Sequence, residues 1–280
     1  MFLNKEKKCV IIFIIEILFM KMNLFDLTGK VVVITGGASG LGLAYARGIA
    51  KHGGNLSIWD VSESKIESAK NELKEYGINV TTQVVDVKSE EQIIAAYEQV
   101  LKDHGRLDCV FANAGVPPNS RSIFDMTSQN YLDLINVNMH GAFYTLKEGA
   151  RLMVERAKAG EPGGSLVFTG SLALFKGIPG IENYAAAKGA IAAVIRGLAV
   201  ELAQFGIRAN TIAPGYIKTG MTNGQQEMSA IDASMIANIP MGRAGYPEDF
   251  EAIAVYFCSD ASSFHTGDTV ILDGADHIKG

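Results

Sequence analysis

Five consecutive β-branched residues, Val31–Thr35, run directly into a pair of glycines. A run that is apolar on both sides of the pleat and cut off by turn residues predicts a strand buried on both faces. Such a strand needs helices above and below it, and the rest of the chain carries the pattern. Helical periodicity follows at 41–51, then a strand at 55–60, a helix over 62–76, a strand at 79–87, a helix at 90–104 and a strand at 107–115. A long helical pattern then covers 128–157, followed by a strand at 163–171, a helix at 184–205, a strand at 207–215, a helix at 248–259 and a last strand at 268–275. Strands alternating with long helices predict an α/β fold: one doubly wound, Rossmann-like domain on a parallel sheet of about seven strands. The irregular stretch 216–246 is too long for a plain connection and predicts a lid over a binding site.

Composition narrows the function. The formal net charge is −5 with dispersed basic residues, which gives no electrostatic case for nucleic acid. The three cysteines, Cys9, Cys109 and Cys258, are far apart in sequence and form no metal-binding cluster. That spacing argues against a disulfide framework and fits a reducing cytoplasm. Residues 1–21 differ from the rest: lysines, then an apolar run from Cys9 to Met20 broken by Glu16. The run is too short to span a bilayer, and no small-x-small cleavage site follows it. It reads as an extension outside the fold, a peripheral membrane anchor or a partner-binding helix; the folded domain is expected over 22–280. Membrane contact is expected only if this extension is an anchor.

The turn TGGASGLG, 35–42, leaves the first strand and opens the first helix. Gly36, Gly40 and Gly42 permit a tight turn and close approach to a pyrophosphate, which the helix N-terminus would bind. The spacing differs from the general dinucleotide fingerprint, so the turn alone is a weak signal. Asp60 ends the second strand 18 residues after Gly42, near the spacing of the acid that holds a ribose hydroxyl. A carboxylate there repels a 2′-phosphate, and Ser39 brings no positive charge for one, so NAD is expected rather than NADP. Asn113, Ala114 and Gly115 follow the fourth strand, and Asp86 follows the third, where ligands of open α/β sheets bind. His104, His140 and His265 have no metal-like spacing, and no metal is expected.

Tyr184 and Lys188 stand four apart on a helix, with Ser171 thirteen residues before the tyrosine and Asn138 inside the long preceding helix. In isolation, a tyrosine and lysine at that spacing read as a solvated helix face. Together, TGGASGLG, NAG, NVN, Ser171, YAAAK and the Pro214–Gly215 pair followed by Thr219 resemble the short-chain dehydrogenase/reductase family, in family order and over residues 28–275. Ala275 stands where many relatives carry a second glycine. The resemblance implies a hydride transfer between a nicotinamide and a secondary alcohol or ketone. Tyr184 would be the general acid–base, its pKa lowered by the Lys188 ammonium, which would also hold the nicotinamide ribose. Ser171 would bind the substrate oxygen. Asn138 would kink its helix and hold a water that relays protons from Lys188. Thr219 would contact the carboxamide, and Leu41, Val87, Pro214, Gly215 and Ile217 would complete the cofactor site.

The segments 116–124, 172–181 and 216–246 would form the substrate pocket, with Leu172, Leu174, Phe175, Ile178, Met221, Met228 and Met235 making it mainly apolar. A small, largely apolar alcohol or ketone is therefore expected. An NADPH-dependent 3-oxoacyl-[acyl-carrier-protein] reductase is the enzymatic alternative. A nucleotide-binding regulator or scaffold is the non-enzymatic one, though such a protein would be expected to lose the tyrosine or the lysine. Family resemblance also implies a homodimer or homotetramer assembled through the two long helices.

Overall fold

A computed structural model of the chain describes residues 23–118, 120, 122–220 and 230–279. The N-terminal extension 1–21, Met221 and Met228 lie outside the described residues. The elements are β1 Val31–Thr35, α1 Gly40–Lys51, β2 Asn55–Asp60, α2 Glu63–Lys74, β3 Val80–Val84, α3 Glu90–His104, β4 Cys109–Ala112, α4 Ser128–Ile135, α5 Ala142–Lys158, β5 Gly164–Thr169, α6 Glu182–Leu202, β6 Ile207–Pro214, α7 Ala230–Ala237, α8 Glu251–Cys258 and β7 Thr269–Leu272. All seven strands are parallel, in the order β3-β2-β1-β4-β5-β6-β7.

Alternation along β1 divides the core. Val31 and Val33 join one apolar cluster with α3, α5 and α6, whereas Val32 and Ile34 join another with α1, α2 and α8. Successive side chains of a strand point to opposite faces, so each β1 residue serves one of the two helical layers. Trp59, fully buried, packs edge-on against Tyr97, and its indole nitrogen donates to Ser57 Oγ at 3.0 Å. It belongs to the core.

Three local differences from expectation have physical causes. The long helical pattern over 128–157 is two α-helices joined by a π-helical turn, Asn136–Gly141. Val87 presses on that turn: a Cβ at Gly141 would lie 2.6 Å from Val87 Cγ2. The stretch expected to be irregular contains α7. β4 stops at Ala112 rather than reaching Gly115, because the Asn113 side chain leaves the ladder to bind the end of β1. The cysteines also differ from their sequence spacing: Cys109 on β4 and Cys258 at the end of α8 are buried side by side, with sulfurs 3.1 Å apart.

No described helix is long and apolar enough to cross a membrane. Along α6, Ala186, Ala193, Gly197 and Val200 are exposed opposite the buried stripe of Ala187, Ile191, Ala192, Ile195, Ala199 and Leu202.

Candidate active site

The sheet order reverses between β1 and β4, and the crevice above their C-terminal ends is where an open α/β sheet binds ligands. The glycine turn and the NAG segment meet there. Gly36 has φ +61°, and a Cβ on it would sit 2.9 Å from Ala114 Cα. A Cβ on Gly42 would lie 2.2 Å from the Gly36 carbonyl, so no larger residue fits the start of α1. Asn113 locks the two segments together. Its Nδ2 donates to the carbonyls of Thr35, at 3.0 Å, and Gly36, at 3.2 Å. The backbone nitrogens of Asn113 and Ala114 both donate to Thr35 Oγ1.

Ser39 caps α1 in extended conformation, is exposed and spends no side-chain bond on the cap. Asp60 lies beside this turn, its carboxylate accepting from the Ala38 amide at 3.4 Å and the Ser62 amide at 3.1 Å. Pro214 ends β6, and Gly215 donates its amide to the Leu272 carbonyl at 2.9 Å. From there Ile217, buried, forms an isolated bridge with Gly245. Thr219 arches over the glycine turn, its Cβ 3.7 Å from where a Cβ on Gly40 would be. Leu41 packs on the apolar cluster under α1, and Val87 packs on the π turn. Asp86 stands apart from this crevice contact network: its carboxylate accepts from the Lys88 amide and pairs with the Lys88 ammonium at 3.2 Å. Gly36 and Gly42 with no room for a Cβ, the N-terminus of α1 and a carboxylate at the end of β2 form a crevice that suits a nicotinamide dinucleotide.

The residues expected to carry the acid–base chemistry sit near the end of β5 and the start of α6. Ser171 is extended, its Oγ accepts from the Ala173 amide at 3.2 Å, and its hydroxyl also bonds the Tyr184 phenol. Tyr184 lies in the first turn of α6, and Lys188 one turn later. Lys188 is only 3% exposed, and its ammonium donates to the Thr169 carbonyl at 2.6 Å. It also lies 4.8 Å from the Phe168 ring centre and 5.6 Å from that of Tyr184. Asn138, fully buried in the π turn, uses both ends of its amide on Val116: Oδ1 accepts from the Val116 amide at 2.8 Å, and Nδ2 donates to its carbonyl at 2.9 Å. Asn138 Oδ1 and Lys188 Nζ both flank Gly115, at 3.3 and 3.8 Å from a Cβ built there. Asn138, Gly115 and Lys188 therefore meet, and Asn138 holds the Val116 backbone with its amide. The helix is interrupted there by a π-helical turn, a device common at functional sites.

One electrostatic expectation is reversed in the protein alone. Burial raises the Tyr184 phenol above its ordinary pKa, and a hydrogen bond with Ser171 pulls it only partly back. Burial also pushes Lys188 down to about 7. The expected lowering of the phenol assumed a fully charged lysine; here both groups are stripped of water first.

Sequence reasoning missed the residues that hold this group in place. Thr169 joins the halves of the site: its carbonyl takes Lys188, and its hydroxyl donates to Asn113 Oδ1 at 3.1 Å. A threonine ending the buried run LVFT was the available signal. His277 was also missed. Its Nδ1 bonds Asp273 at 2.7 Å, Lys176 pairs with Asp276 at 2.6 Å, and Lys279 donates to the Ala237 carbonyl at 3.1 Å. The C-terminal turn thus straps the 172–181 loop to α7, a contact between distant segments that no local pattern announces.

Comparison with known proteins agrees with this geometry. A family model described as "Enoyl-(Acyl carrier protein) reductase" matches residues 36–275. The chain is 36% identical over 252 residues to 5-keto-D-gluconate 5-reductase of Escherichia coli K12, covering 90% of this chain and 97% of that protein. Among solved structures, NAD+-bound xylitol dehydrogenase superposes with a TM-score of 0.81 at 30% identity, over 89% of this chain and 99% of that one. A gluconate 5-dehydrogenase from Burkholderia cenocepacia J2315, solved with NADP and tartrate, gives 0.83 at 29% identity, over 90% and 97%.

Proposed function

Because the chain belongs to the short-chain dehydrogenase/reductase family and is an oxidoreductase of alcohol and ketone groups, we propose that it works with NAD(H) and uses Tyr184 as its general acid–base. The observation that carries this reading is the convergence of Ser171, Tyr184 and the buried Lys188 around Thr169 and Gly115. NAD(H), when bound, supplies the hydride acceptor or donor. The glycine turn and the α1 amides would hold its pyrophosphate, and Asp60 its adenosine ribose. The Tyr184 phenol gives its proton to the ketone oxygen, or takes one from the alcohol. Ser171 Oγ donates to the same oxygen and steadies its charge. Lys188 stabilises the phenolate electrostatically when protonated, and Asn138 keeps the Gly115–Val116 segment against it.

The exposed side chains of Phe175, Ile178 and Met235, on the segments expected to form the substrate pocket, support a small, largely apolar alcohol or ketone. A polyhydroxylated keto acid is a second reading. Similarity to a ketogluconate reductase favours it, as do the polar Lys176 and His277 on the same side. Exposed small residues along α6 support assembly through that helix; a monomer by light scattering would remove this part of the proposal.

The test is steady-state kinetics with NAD and NADP across a panel of apolar ketones and keto-sugar acids. Preference for NAD is expected, falling at least about tenfold in Asp60→Ser, since the ribose contact is lost and a 2′-phosphate is no longer repelled. Preference of the native enzyme for NADPH would overturn the cofactor assignment, and preference for acyl-carrier thioesters the substrate assignment.

A further inference from the structure

We propose that Cys109 and Cys258 form a dithiol that peroxide oxidises slowly and that closes into an intrachain disulfide within the folded enzyme. The two sulfurs lie 3.1 Å apart, although the residues are 149 positions apart in sequence. A disulfide needs about 2.05 Å, so closure requires an approach of roughly one ångström. Cys109 is fixed in β4, whereas Cys258 is the last residue of α8, where the helix gives way to an extended Ser259. The movement therefore falls at a helix end rather than within the sheet.

A cavity lies beside the pair. It has a volume of about 280 Å³ and opens at the N-terminal end of the strands, and Cys258 lines it with Lys30 and Arg208. Arg208 donates to Ser262 Oγ at 2.7 Å and to the carbonyls of Phe257 and Ser259 at 2.9 and 3.3 Å. These partners are neutral, so they leave its positive charge to act on the sulfurs. Burial and the neighbouring Cys109 hold the Cys258 thiol well above its ordinary value, while Arg208 and Lys30 oppose them. The thiol is therefore protonated at rest, and its oxidation is slow compared with that of an exposed low-pKa cysteine.

The chemistry balances with a peroxide as oxidant. The Cys258 thiolate attacks one peroxide oxygen, the O–O bond breaks, and water leaves with the proton released from the thiol. The resulting sulfenic acid is attacked at sulfur by Cys109; the S–O bond breaks, and hydroxide takes the Cys109 proton as a second water. Two thiols and one hydrogen peroxide give one disulfide and two waters. A dithiol reductant reverses the link by exchange.

The test uses the full chain carrying Cys9→Ser, so that only this pair is counted. The folded protein is treated with hydrogen peroxide, quenched in acid, and alkylated after unfolding. Both thiols are expected to disappear together. Non-reducing digestion should then yield one cross-linked peptide pair containing Cys109 and Cys258, about 2 Da lighter than the sum of its parts and cleaved by dithiothreitol. Adding Cys109→Ser should remove the link and leave a Cys258 sulfenic acid that dimedone traps. If that variant does not fold, the peptide map of the parent protein decides. The proposal is overturned if the thiols are lost independently, if the link joins two chains, or if it forms only at urea concentrations that unfold the protein.

Discussion

At the N-terminal end of the sheet Asp108 is 8% exposed, and at the C-terminal end Lys188 is 3% exposed, yet their surroundings differ completely. Asp108 accepts from Arg106 twice at 2.8 Å, from Arg156 at 2.7 Å and from the Val31 amide at 2.9 Å. Burial raises its carboxyl, but the Arg106 and Val31 hydrogen bonds and the Arg156 charge outweigh that and hold it below the usual range. Lys188 has one carbonyl at 2.6 Å, two aromatic rings and no carboxylate, and burial alone sets its shift. Buried charge answered by opposite charge joins β1, β4 and α5 into a frame. A buried charge left unanswered disfavours the folded state, and it persists where the proposed chemistry requires it.

The largest effect that would sharpen this contrast is kinetic. Tyr184→Phe should lower turnover by about 10²–10⁴-fold while nucleotide binding and the unfolding midpoint stay near those of the parent. Undiminished turnover would sink the assigned role. At the other end, Asp108→Ala strands two arginines and an amide, and should destabilise the fold by about 3 kcal/mol in urea unfolding. Because the folded pKa of Asp108 is lowered, its contribution is present above about pH 4 and is lost as pH falls through the folded value, so the deficit should shrink in acid.

Lys188→Met should act in the opposite direction on stability. Turnover should vanish, while the variant is more stable than the parent at pH 7 by about 1–3 kcal/mol, less than the full burial penalty because Thr169 loses its donor. In the parent, the unfolded state binds more protons between pH 7 and 10.5, so native stability rises across that window. The advantage of the variant should therefore shrink as pH climbs, and a constant or growing advantage would contradict the account. The smallest expected change is at Ala275, the single described non-glycine residue with positive φ, +74°. Ala275→Gly should relieve left-handed strain and raise stability by about 0.5–1 kcal/mol in thermal unfolding, with little effect on turnover.

Much of the fold was legible because its signals are local. β-Branched runs, glycine punctuation and helical periodicity repeat along the chain, and parallel strands joined by long helices leave few topologies. Asn138, Ser171, Tyr184 and Lys188 were legible as a set only through the resemblance to the short-chain dehydrogenase/reductase family, because no one of them stands out by its local spacing. The π turn at Asn136–Gly141 was legible only as an interruption, since a helix and a π turn share nearly the same spacing. The pairing of Cys109 with Cys258, the strap from Asp276 to Lys176 of the 172–181 loop and the dual role of Thr169 were not legible, because each depends on segments distant in sequence being brought together.

By itself, the sequence determined the strand–helix alternation and the glycine turn after the first strand, because propensity and periodicity act over a few residues, and its motif order carried the family resemblance. Only the tertiary structure decided the electrostatics. Lys188 four positions from Tyr184 is a spacing; its loss of water, which lowers its pKa, and its distance from any acid follow from the packing of α6 onto β5.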